Sequence, residues 1–63
     1  MADIAEIIRV ERARQRISQD DLSRLTGINR AVISMIENGR IFPSKEYAEK
    51  IKKALNVTEI HRS

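Results

Sequence analysis

Apolar residues recur along this chain at intervals of three and four, in four separate segments. In the first, Ile4, Ala5, Ile7 and Ile8 form a stripe that continues through Glu11, Arg12 and Gln15. In the second, Leu22, Leu25 and Thr26 share one side. In the third, Val32, Ile33 and Ile36 lie on one side, with Arg30, Ala31, Ser34, Met35 and Asn38 on the other. In the fourth, Tyr47, Ala48, Ile51, Ala54 and Leu55 cluster opposite Lys45, Glu46, Glu49, Lys50, Lys52 and Lys53. A period near 100° per residue is that of an amphipathic helix. The pattern predicts helices over 4–15, 19–26, 30–37 and 45–55, and no strand.

Local signals bound each helix. Asp3 with Glu6, and Ser18 with Asp21, have the spacing of a capping box, and Asn29 and Ser44 stand as further N-caps. Gly27 falls where a sharp turn between two helices calls for positive φ, and Asn38-Gly39 and Asn56 fall where helices stop. Residues 39–43 hold a glycine and the only proline, so they read as a loop. Val57 to Ile60 read as one further turn, and His61-Arg62-Ser63 as a frayed tail.

Two helices of two turns each do not hold together alone in water. The flanking segments must cover the apolar sides of 19–26 and 30–37. That leaves one outward face, built from Arg30, Ala31, Ser34, Met35 and Asn38. It is rich in hydrogen-bonding groups and free of carboxylates, as a reading surface would be. Arg12, on the first stripe, borders the core and needs a partner. Spacing alone leaves two outcomes open: a pair with Glu37, or both side chains reaching out to solvent.

Composition narrows the function classes. A chain of 63 residues is one small domain, 1–63, burying roughly 60% of its unfolded surface, so its caps matter to stability. The net charge of +3 leans toward anionic partners. Without cysteine there is no disulfide framework and no thiolate metal site. No apolar run approaches the roughly 18 residues of a membrane span, which points to a cytoplasmic protein with no membrane partner. His61 is the only histidine, and no nucleophile–base pair or metal cluster is evident. Neither an enzyme nor a metal, cofactor or small-molecule site is expected. Only Phe42 and Tyr47 are aromatic, which disfavours readers of single-stranded RNA that work by stacking. The fold class is all-α, a compact bundle of four or five short helices.

The stretch ISQDDLSRLTGINRAVISMIENGRIFPS resembles the core of the Cro/phage-repressor (XRE, lambda-repressor-like) helix-turn-helix family. Matching positions are Ile17, Ser18, Gln19, Leu22, Gly27, Ile28, Ile33, Ser34, Ile36, Glu37, Gly39, Pro43 and Ser44, continuing through Ile51, Ala54, Leu55 and Val57. The helix-turn-helix proper is 18–39. Departures are Ser23 for the usual alanine, Arg16 where glycine often ends helix one, an apolar Ile41-Phe42 in the loop, and a short final segment.

The resemblance implies a sequence-specific regulator of transcription that binds double-stranded DNA, a repressor in the first instance. Helix 30–37 would enter the major groove while helix 19–26 crosses the backbone. Arg30, Ala31, Ser34 and Met35 would meet base edges, Arg30 as a bidentate fork on guanine. Gln19, Asn29, Asn38, Arg40 and Lys45 would hold phosphate. The family also implies the Arg12–Glu37 ion pair. One bidentate contact gives roughly 1–3 kcal/mol of discrimination, against about 4–10 needed over non-specific binding. That shortfall predicts a homodimer on a palindromic operator. Val57 and Ile60 are the first dimer surface and Ile41 with Phe42 the second. The alternative is an antitoxin or other protein-interaction module on the same fold.

Overall fold

The computed structural model describes residues 3–57. Four helices follow one another: α1 (Ile4–Arg14), α2 (Gln19–Thr26), α3 (Arg30–Glu37) and α4 (Lys45–Leu55). There is no strand among the described residues. α1 packs against α3 and α4, and α2 packs against the same two. Of the predicted further turn, Val57 to Ile60, only Val57 is described; Ile60, the tail and any fifth helix lie outside the described residues.

All four N-caps act as their side chains dictate. Asp3, Ser18, Asn29 and Ser44 accept from the backbone N–H of Glu6, Asp21, Ala31 and Tyr47 at 2.9, 3.0, 2.8 and 3.1 Å. At Ser18 the box is complete, since Asp21 accepts from the Ser18 N–H at 3.2 Å. At Asp3 only the forward bond forms. Each bond satisfies an amide that the helix itself leaves without a partner.

The helix exits are left-handed. α1 stops at Arg14, one residue short of the predicted Gln15. Ile17 N–H returns to the Arg12 carbonyl (2.8 Å) and Arg16 N–H to that of Ala13 (3.1 Å). The same pair of bonds closes α3 around Gly39 and α4 around Asn56. Gly27 closes α2 with a single bond to the Ser23 carbonyl. Gly27 and Gly39 have φ of 77° and 75°, and a Cβ at either would meet nothing within 4 Å. Torsion, not space, favours glycine there. Arg16 takes φ 58° without that freedom, at a cost of roughly 1–2 kcal/mol.

The core is aliphatic throughout. Ile8, Leu22, Ile28, Ile33, Ile36, Ile51 and Leu55 are fully buried. Each contributes about 1.5–3 kcal/mol of transfer free energy. Ile4, Ile7, Ile17, Val32, Tyr47, Ala54 and Val57 pack around them. α2 departs from its predicted face. Leu22 and Thr26 are buried, but Leu25 is 61% exposed. The buried side is centred between Leu22 and Thr26, and Leu25 lies about 80° from that centre at helical period.

Candidate nucleic-acid interface

The turn between α2 and α3 is stitched by two hydroxyls. Thr26 Oγ1 donates to the Leu22 carbonyl (2.7 Å) and accepts from the Ile28 N–H (3.1 Å). Ser23 Oγ donates to the Ile28 carbonyl (2.6 Å). Both backbone groups of Ile28 are therefore satisfied while its side chain fills the core. The serine that departs from the family pattern at position 23 has a structural use. Its signal in the sequence is a pair of hydroxyl residues in the last turn before a glycine, able to bond nearby backbone groups: Thr26 backward to Leu22, Ser23 forward to Ile28.

The far end of α3 is anchored by charge. Glu37 is buried, and its carboxylate receives a two-pronged contact from Arg12: Nε to Oε2 and Nη2 to Oε1, each 2.9 Å. Gln19 Nε2 adds a bond to Oε1 at 3.2 Å. Arg12 Nη1 donates to the Ile17 carbonyl at 3.0 Å, and Arg9 donates to the carbonyl of Glu37 itself. Of the two outcomes that spacing left open, the ion pair is the one formed, with the Arg12 side chain only 20% exposed. Arg9 and Arg12 also bring positive charge to the negative end of the α3 dipole.

With Ile33, Ile36 and Glu37 inside, the opposite side of α3 is bare. Arg30, Ala31, Met35 and Asn38 are exposed, while Ser34 and Val32 are half-buried. The face is not free of carboxylates at its edge. Asp20 Oδ1, on α2, lies 3.5 Å from Arg30 Nη1. Spacing within one helix does not reveal a contact made across the turn.

The residues named as phosphate ligands fall into two groups. Asn38, Arg40 and Lys45 are exposed, with no ion pair among the described residues. Asn29 is exposed, and its side-chain oxygen is engaged as the α3 cap. Gln19 is half-buried with its amide turned in to Glu37, so what it offers outward is its backbone N–H at the start of α2. At the same helix start, the Ser18 backbone amide and hydroxyl hold the Asp21 carboxyl below its ordinary value, with Arg24 adding to the effect. Of the two named dimer surfaces, Val57 packs half-buried against the core, whereas Phe42 is 82% exposed beside an exposed Ile41. Among the described residues no group of acidic, histidine or cysteine side chains is placed to hold a metal ion. No helix there is long and apolar enough to cross a membrane.

A family profile described as helix-turn-helix matches residues 8–60. No curated protein and no solved structure gives a match.

Proposed function

The chain belongs to the helix-turn-helix family of the Cro/phage-repressor, XRE-like type, a family of DNA-binding regulators, and on that footing we propose that it represses transcription as a homodimer on a palindromic operator. One observation carries this reading. α3 turns Ile33, Ile36 and Glu37 inward and leaves Arg30, Ala31 and Met35 uncovered. A helix with its side chains is about 10–12 Å across, and the major groove is about 12 Å wide and admits one helix.

In this reading Arg30 forks onto guanine O6 and N7, and Ala31 and Met35 lie against thymine methyl groups. Ser34, half-buried, offers its hydroxyl at the margin of the face. The backbone amides at the start of α2, with Asn29, Asn38, Arg40 and Lys45, hold the phosphates on either side. A single copy of this surface falls short of the discrimination that specific binding needs. Two copies, about one helical turn of DNA apart, reach it. Val57 with Ile60, or the exposed Ile41-Phe42 loop, joins the copies. A cytoplasmic setting follows from this role.

Selection of bound duplexes from a random pool, at two salt concentrations, tests the palindromy, the spacing and the specificity of the site together. The expected product is a two-fold symmetric site. Affinity should fall steeply with salt as counterions are released. Scrambling one half of that site should remove most of the affinity, and equal binding to whole and half sites would exclude the dimer. A second reading, a protein-interaction module such as an antitoxin, draws on the exposure of Phe42. Binding that is indifferent to salt and abolished by Phe42→Ser would favour it.

A further inference from the structure

Asp20 places a carboxylate where the proposed function has least use for one. It is the second residue of α2, beside the helix start offered to phosphate. Its neighbour Asp21 is committed to the Ser18 cap and to Arg24. Asp20 makes no such commitment. Among the described residues its carboxylate has one contact, the 3.5 Å approach of Oδ1 to Arg30 Nη1. The two side chains are 64% and 63% exposed and sit on different helices, so each is free to meet a third party.

A guanidinium is a planar fork with five N–H donors. A carboxylate held at its Nη1 end leaves the edge made by Nε and Nη2 for a second acceptor pair. The N7/O6 edge of guanine matches such an edge and carries no net charge. A phosphate offered to the same arginine from the α2 side meets the negative charge of Asp20 as well. The pair therefore penalises the sequence-independent use of Arg30 more than its base-reading use.

Building on the DNA-binding reading, we infer that Asp20 is a positioning residue that sets specificity: it steers Arg30 away from phosphate and toward base edges. Affinities for a selected duplex and an unrelated duplex of equal length test this. They are measured for the wild type, Asp20→Asn and Asp20→Glu, and for Asp20→Asn in an Arg30→Ala background.

An exposed ion pair is worth about a two- to fivefold change in an equilibrium. Asp20→Asn should tighten the unrelated duplex by that factor and the selected duplex by less, lowering the ratio between them. Asp20→Glu should restore part of the ratio. Without Arg30, Asp20→Asn should leave the ratio unchanged. Equal tightening of both duplexes would reduce Asp20 to a general repulsive charge and overturn the inference. So would a ratio that rises, or one that falls just as far without Arg30. A wild type that discriminates, with an Asp20→Asn variant that discriminates equally, defeats this inference alone. A wild type that binds no duplex at either salt concentration defeats the DNA-binding reading and this inference with it.

Discussion

The two ends of α3 are built in opposite ways. At Glu37 the charge is buried and its carboxylate is met by Arg12 and Gln19, while Arg9 donates to the backbone carbonyl of the same residue. At Arg30 the charge is exposed and met by one loose contact at 3.5 Å. A buried charge without a partner costs several kcal/mol, whereas an exposed one costs almost nothing. The same helix therefore carries a rigid anchor at one end and an adjustable group at the other. The anchor sets where the helix lies, and the adjustable end is available to whatever approaches it.

The largest test of this contrast is a matched pair of alanine variants. Glu37→Ala strands Arg12 against the core and should cost about 3–5 kcal/mol, enough to unfold a marginal domain. Arg30→Ala should stay within about 0.5 kcal/mol of the parent. Urea titration followed by circular dichroism reads both, and comparable losses in the two variants would break the comparison.

Next in size is the turn that joins the adjustable end to the rest. Thr26→Val keeps the volume but removes the acceptor of the Ile28 N–H, a loss of about 1–3 kcal/mol. Hydrogen exchange at the Ile28 amide should quicken in step, and an unchanged amide would mean that the hydroxyl is not its partner.

At the exit of α1 the sign reverses. Arg16→Gly should stabilise by about 1 kcal/mol, since relief of roughly 1–2 is set against the glycine's greater unfolded-state entropy. A lower melting temperature for that variant would show that Arg16 is not strained.

The smallest effect is at the start of α2 and depends on pH. Asp21 has a carboxyl held below its ordinary value of 3.8 by the Ser18 amide and hydroxyl. Its folded form thus binds a proton less readily than its unfolded form. The contribution is complete above the ordinary value and is lost as pH falls through the lowered one. Asp21→Asn should melt below the parent near neutral pH and draw level in strong acid. A gap of constant size across that range would contradict the assignment.

What could be read from the chain beforehand was what is local. Asp3, Ser18, Asn29 and Ser44 each act on an amide two or three residues away, so their spacing sufficed. The division of α3 into an inner and an outer side was also legible, because Ile33 and Ile36 leave one solution. The contacts that depend on how one helix is rotated against another were not. Leu25 shares a nominal side with Leu22, yet α2 is turned so that Leu22 and Thr26 are buried and Leu25 stays outside. Gln19 carries the composition of a phosphate ligand, but the buried carboxylate of Glu37 draws its amide inward. Arg12 with Glu37 was one of two outcomes until the family pattern decided between them. Asp20 with Arg30 lay outside any single-helix pattern.

The left-handed corners bear on how freely sequences with this architecture can drift apart. Open space surrounds the missing methyl groups at Gly27 and Gly39, and asparagine and arginine occupy equivalent exits at 56 and 16. The barrier to a side chain at such a corner is a small torsional toll that a well-packed neighbour can offset, whereas no neighbour can make room for a side chain that collides. Lineages can therefore lose these glycines one by one without losing the path of the backbone, and relatives that have done so would escape a search keyed to glycine spacing.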